Sequence, residues 1–351
     1  MARSKELAVQ RTLTLDHEMP YYQSLPKDVN IWEGAPQHVV LAKVEGYDLF
    51  FWISAYILDG RTTTGFLADR ALALGSIIYL IPHDKRGQMN DNVFSVNGFD
   101  PADYLDITEL SVNKVQDAVV WKIKDVEFTC RPPYWEVRGS HAGLEFDLSI
   151  TGKGPTSFLA GDFDNLLSGE KWASFDQLTA CAGHISIDGR RHEISNGYGC
   201  HEHFVSMFDD IPSMVDLFRE NPTTWFVGGN DRVQFQCTAP NAQAHVLVDG
   251  ESIKYIDSQI TIDVLSDWMD PRNHVVLPCK WHVNMRSDDG IIDLHLSASS
   301  RANRMWTLRN GYILDVWMMG TADGVFIHSD GRIIHIKDML FTWEVPRTVC
   351  P

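Results

Sequence analysis

One stretch of this 351-residue chain gathers the side chains that do chemistry: Gly197-Tyr198-Gly199-Cys200-His201-Glu202-His203-Phe204. Its two glycines let the backbone take unusual dihedrals or approach another group closely, and they lead straight into three ionisable side chains in a row. If His201 to His203 is extended, the two imidazoles face one side of the strand and the Glu202 carboxyl faces the other. Three uses of such a pattern compete. The groups can sit in a hairpin, partly exposed and hydrogen-bonded, with a structural role only. His201 and His203 can be two same-side metal ligands, which then need further donors. His184, Asp231, His245 and His282 are available, but no spacing places them, and Met207 and Phe208 stand where a cupin-like set wants a glutamate. No metal is therefore expected. The third use is adopted here: Glu202 is a general acid or base whose pKa an apolar pocket raises, with His201 and His203 orienting it or passing its proton.

Such an acid needs an apolar surround, and the chain carries 11 tryptophans. Trp52, Tyr134, Trp135, Tyr198, Phe204 and Trp225 are the candidate substrate-binding rings, most other aromatics being ordinary core. Pro132-Pro133 makes a rigid segment suited to presenting Tyr134 and Trp135 together. Asp231, just after Gly228-Gly229, is either a second carboxylate facing the motif or a residue of a hairpin turn.

The elements that hold these residues read as strands. His38 to Val44, Leu49 to Leu58, Ala118 to Ile123, Gly143 to Ile150, His184 to Ile187, Gln243 to Val248, Ile253 to Val264, Gly290 to Leu296 and Gly311 to Met319 are short, β-branched or aromatic runs. Asp-Gly pairs at 59, 188, 249, 289, 323 and 330 punctuate them, and Asp-Gly between apolar runs is the strongest short-range hairpin signal. Helical patterns are confined to Ile211 to Asn221 and Asp164 to Leu178. No dinucleotide fingerprint or phosphate loop occurs. The fold class expected is all-β. An Asp-Gly-Arg turn followed by an apolar run occurs at 188–190 and again at 330–332, which suggests a duplicated antiparallel β-barrel or sandwich with few short helices. The two domains expected are 1–200 and 201–351, with the boundary somewhere within 175–210.

The motif Gly197-Tyr198-Gly199-Cys200-His201-Glu202-His203 resembles the G-x-G-x-[HR]-[DE]-H signature of the carotenoid 1,2-hydratase (hydroxyneurosporene synthase) and AttH-like lipocalin superfamily. Phe50-Phe51-Trp52-Ile53-Ser54-Ala55-Tyr56 is similar to that family's early aromatic strand. Phe204-Val205-Ser206 departs from the polar residue, Trp and Gly usual there, and the early strand lacks the family's acidic residue and one Trp. The resemblance implies a pair of lipocalin-like β domains binding an apolar terpenoid, polyketide or aromatic molecule without an organic cofactor. It also implies hydration, dehydration, isomerisation or cyclisation, with pocket shape alone sufficing for related proteins that promote cycloadditions. A non-catalytic carrier of an apolar ligand is the other class this composition allows. The signature's histidine and acidic positions carry over to His201, Glu202 and His203.

Charge narrows the partners. Thirty Lys and Arg against 47 Asp and Glu leave a formal charge of −17, which repels the phosphate backbone that dominates nucleic-acid affinity. Six cysteines without a C-x-x-C pair argue for reduced thiols in the cytoplasm rather than a disulfide framework or structural zinc. The first twenty residues lack a secretory apolar core, and Ala71 to Pro82 is too short to span a bilayer.

Overall fold

The computed structural model describes residues 31–34, 37–59, 70–89, 94–97, 104–106, 109–116, 118–160, 172–207, 224–239, 243–272, 274–308 and 311–349. They form two antiparallel, curled sheets. The first contains β1 (Ile31–Gly34), β2 (Gln37–Val44), β3 (Tyr47–Asp59), β4 (Arg70–Pro82), β5 (Phe94–Asn97), β6 (Tyr104–Asp106) and β7 (Leu110–Val115). It continues through β8 (Ala118–Ile123), β9 (Val126–Arg131), β10 (Tyr134–His141), β11 (Leu144–Gly152), β12 (Ser157–Ala160), β13 (Trp172–Ile187) and β14 (Arg190–Met207). The second contains β15 (Thr224–Gly229), β16 (Val233–Ala239), β17 (Gln243–Val248), β18 (Glu251–Ile256), β19 (Ile260–Met269), β20 (Val276–Arg286), β21 (Gly290–Leu308), β22 (Gly311–His328) and β23 (Ile333–Val349). The chain passes from one sheet to the other between Met207 and Thr224, so residue 200 lies inside a strand of the first sheet.

Both sheets follow one plan. The last strand returns beside an early strand, β14 against β2 and β23 against β15. In each, the closing hairpin is the Asp-Gly-Arg turn, joining β13 to β14 and β22 to β23. Asp188-Gly189 and Asp249-Gly250 have positive φ at both residues, the conformation a two-residue hairpin needs. Asp289-Gly290 and Asp330-Gly331 also connect paired strands. Asp323-Gly324 does not turn the chain. It lies inside β22 at a register shift, where a Cβ on Gly324 would sit 1.9 Å from the Asp293 carbonyl oxygen. Gly60 lies outside the described residues.

Two further expectations change, and a third falls outside the described residues. The single strand foreseen over Ile253–Val264 is split into β18 and β19 by a 3-10 turn at Asp257–Gln259. Of the helix foreseen over Asp164–Leu178, residues 172–178 are strand, fixed by pairing with β14, and 164–171 lie outside the described residues. The helix foreseen over Ile211–Asn221 also lies outside them.

Each sheet curls around its own core, the first with Phe51, Trp121, Phe128 and Trp135, the second with Phe226, Phe235, Trp281 and Trp343. A third apolar layer forms where the sheets meet. There β14 touches β15, β2 touches β23 and β13 touches β16, and Phe50, Trp52, Tyr79 and Leu178 are buried opposite Trp225, Trp317 and Leu340. Strands in this layer are buried on both faces, as in β2 and β15, and so read as unbroken apolar runs. Strand β11, with one face in solvent, alternates buried and exposed residue by residue. No helix among the described residues is long and apolar enough to cross a membrane.

Candidate functional site

The motif occupies the middle of β14, flanked by β13 and β2. Gly199 is demanded by this position: a Cβ there would lie 1.8 Å from the Val39 carbonyl oxygen. The strand stays extended through the motif, with His201 between Gln177 and His38, and Glu202 between Asp176 and Gln37. The pleat therefore sends the two side chains to opposite faces.

His201 enters the first core. It is fully buried and stacks on Trp135 with ring centroids 4.2 Å apart, and lies 4.9 Å from the His38 ring. Neither ring nitrogen of His38 has a hydrogen-bond partner among the described residues, and burial pushes its pKa down to about 3. Two imidazole rings thus lie side by side in an apolar core. His201 lies on the face of β14 opposite Glu202. Only the backbone of His203 and Phe204 is described, opposite Phe175 and Ser174.

Glu202 faces the layer between the sheets and is half-buried. Its cross-strand neighbour Asp176 is completely buried. Asp176 Oδ2 accepts a hydrogen bond from Trp225 Nε1 at 3.0 Å and another from Gln236 Nε2, both on the second sheet. Burial first, and the Glu202 charge second, raise the Asp176 pKa well above the ordinary carboxylate range; bonds from Trp225 and Cys200 oppose them. Burial and the same two carboxyls also raise the thiol of Cys200. Like charges on cross-strand neighbours disfavour ionisation of both carboxyls at once. On the other side of Glu202, Gln37 accepts from Trp52 Nε1 at 3.3 Å.

An aromatic wall closes this pair. Trp317 has ring centroids 5.7 Å from Trp225, 5.8 Å from Phe50 and 6.0 Å from Trp52. Tyr198, half-buried on the Glu202 face, accepts from Asn196 and packs on the backbone at Gly229. Of the rings foreseen, Trp52, Trp225 and Tyr198 thus converge on the layer that Glu202 faces. Tyr134 and Trp135, foreseen as a presented pair, are parted by the pleat: Trp135 is in the first core and Tyr134 is 56% exposed. Asp231 is exposed in the turn whose Asn230 side chain caps the N–H groups of Arg232 and Val233. The second carboxyl is Asp176 instead, which the sequence reading missed together with His38, Gln236 and Trp317.

The candidate metal donors named alongside His201 are scattered. His245 pairs with Ser252 and His282 with Asp293, both in the second sheet. Cys130, Cys181, Cys200, Cys237 and Cys279 are buried and in no disulfide.

No family model and no curated protein matches the sequence. Among solved structures, the chain is similar to a protein of Nitrosomonas europaea assigned as an AttH, with 11% identity over 97% of this chain and 98% of that one and a TM-score of 0.56. It is also similar to CghA with Sch210972, with 11% identity over 91% and 89% and a TM-score of 0.57. A match to kievitone hydratase from Nectria haematococca has 10% identity, 97% and 94% coverage and a TM-score of 0.48. From the first two of these likenesses and its own paired curled sheets, the chain has the lipocalin-like fold of the AttH proteins, the fold its motif resemblance implied.

Proposed function

We propose that this chain is an acid/base enzyme that works on an apolar terpenoid, polyketide or aromatic molecule in the layer between its two sheets. The observation that carries the reading is the buried Asp176 facing the half-buried Glu202. One proton held between two carboxyls supplies an acid and a base at neutral pH, which an isolated glutamate, titrating near 4.3, does not. Glu202 is the catalytic residue, since it is the more exposed of the two, and Asp176 positions and recharges it. The pair gives its proton to an alkene carbon, and the resulting cation takes up water, whose surplus proton returns to the carboxylate: this is hydration. Loss of a neighbouring C–H proton to the carboxylate instead gives isomerisation; attack by an internal alkene gives a cyclic cation that loses a C–H proton to the carboxylate, completing cyclisation; and hydration in reverse is dehydration. Trp52, Trp225 and Trp317 supply the apolar, cation-tolerant wall. Gln236 Oε1, buried without a hydrogen-bond partner among the described residues, is an acceptor for a hydroxyl on the substrate. A protein of this fold is solved with Sch210972, which supports ligand binding by this architecture.

The test begins with a terpenoid, polyketide and aromatic panel screened by tryptophan-fluorescence change, followed by turnover of the binders in D2O read by mass spectrometry. A general acid of this kind installs solvent deuterium on carbon. Glu202→Gln is expected to keep ligand affinity and lower turnover and deuterium uptake by on the order of a hundredfold. Turnover unchanged in both Glu202→Gln and Asp176→Asn refutes acid/base chemistry and leaves catalysis by pocket shape. Binding without turnover of any panel member by the wild type leaves a carrier.

A further inference from the structure

On the solvent side of the second sheet, away from the layer that holds Asp176 and Glu202, polar residues form a row across adjacent strands. Asp263 of β19 pairs with His282 of β20, His282 pairs with His295 of β21, and His295 pairs with Asp323 of β22. Asp293 stands beside the row, two residues before His295 and so on the same face. We propose that His282, Asp293 and His295 are the ligands of one divalent transition-metal ion of the zinc type. One ligand atom from each lies within 4.8 Å of the others.

The spacing fits an ion. Zinc to nitrogen or oxygen is about 2.0–2.2 Å, so neighbouring ligand atoms on one ion stand about 3.0–3.5 Å apart. His282 Nε2 and Asp293 Oδ1 are already 3.0 Å apart. The His282 and His295 rings are stacked, with centroids 4.8 Å apart and planes 18° from parallel, so small side-chain rotations bring both nitrogens onto a common point. The backbone beneath is rigid, because the alternate residues Trp281, Val283, Leu294 and Leu296 are buried in the second core. A second layer of contacts aims the ligands. Asn284 Nδ2 donates to Asp293 Oδ2 at 3.1 Å and leaves Oδ1 for the ion. Asp263 Oδ2 lies 3.8 Å from His282 Nδ1, beyond hydrogen-bond length but within a side-chain rotation of the carboxylate–histidine contact that fixes the tautomer of a metal ligand. Two imidazoles and one carboxylate suit zinc, cobalt, nickel or copper, and are poor donors for calcium or magnesium. Three protein ligands leave a position open to water or to a further donor.

The experiment is equilibrium dialysis of the full chain, stripped with chelator, against Zn2+, with metal counted by mass spectrometry and the fold followed by circular dichroism. One zinc per chain is expected, not displaced by calcium in tenfold excess. His282→Ala and His295→Ala each weaken binding at least tenfold, and Asp263→Asn weakens it about tenfold through orientation alone. His38→Phe, which alters the buried histidine pair in the first core, leaves binding unchanged. Absence of zinc binding, or affinity retained in the His282→Ala, His295→Ala double variant, overturns the proposal.

Discussion

Asp176→Asn replaces the buried carboxyl by a neutral group of the same shape, and its effect on stability follows from where the proton sits. Above about pH 3.9 an unfolded chain has released the Asp176 proton. The folded chain keeps it, because burial and then the Glu202 charge hold the pKa well above that range. Folding therefore takes up a proton, and stability falls as pH rises until the folded pKa is reached and the loss levels off. The slope is about 1.4 kcal/mol per pH unit, so two units inside this window separate wild type from variant by about 2.7 kcal/mol. Urea denaturation of both chains at half-unit steps from pH 5 to 9 measures it. His38 and His245, whose lowered pKa values act with the opposite sign, are present in both chains and cancel in the difference. The variant should gain on the wild type with rising pH, and the pH where the gain stops reports the folded pKa. Glu202→Gln, which removes the second cause of the shift, should bring that point to lower pH. Parallel wild-type and Asp176→Asn curves would refute both the protonated Asp176 and the shared-proton acid built on it.

Two further outcomes follow from the same packing. His38 stays neutral in the folded core down to about pH 3, so its contribution is complete above about pH 6.5 and is lost at about 1.4 kcal/mol per unit as pH falls toward 3. His38→Phe, set among Phe128, Trp135 and His201, should flatten that acid limb, and an acid midpoint equal to wild type would show that His38 is not the sensitive group. Gly199→Ala should cost about 3 kcal/mol in denaturation, the upper end for overpacking, because its Cβ meets the Val39 carbonyl rather than a yielding side chain. A change under about 0.5 kcal/mol would mean β2 and β14 part freely there.

Strand content was legible because the patterns that reveal it are local. Four Asp-Gly pairs connect paired strands, and two of them, at 188 and 249, do so with the positive φ at both residues that Asp and Gly tolerate. Asp323-Gly324 has the same composition, yet its long partner strands on both sides override the local turn and convert it to a bulge. Residues 172–178 carry a helical pattern yet form strand for the converse reason: what makes them strand is pairing with β14, which no local pattern contains. The apolar runs around Trp52 and Val40 signalled strands, but did not tell which face would meet its own core and which the other sheet.

Glu202 itself, and its separation from His201 by the pleat, followed from spacing alone. Its partner did not, and the reason is one residue of register. Counting outward from the Asp188-Gly189 turn, the pairs Ile187 with Arg190 and Gly183 with Ile194 run in step, and continuing that step would bring Phe175 opposite Glu202. Between Cys181 and Gly183 the register shifts, so that Cys181 faces Gly197 and Asp176 faces Glu202. Without the shift, Glu202 would look across at an aromatic ring, and Asp176 would move to the opposite face beside His201. The acid pair thus depends on a bulge 6 to 7 residues from Glu202 along β14, at Ser195 and Asn196, which lead into the glycine-rich motif. The residues just before the motif therefore set which residue Glu202 faces.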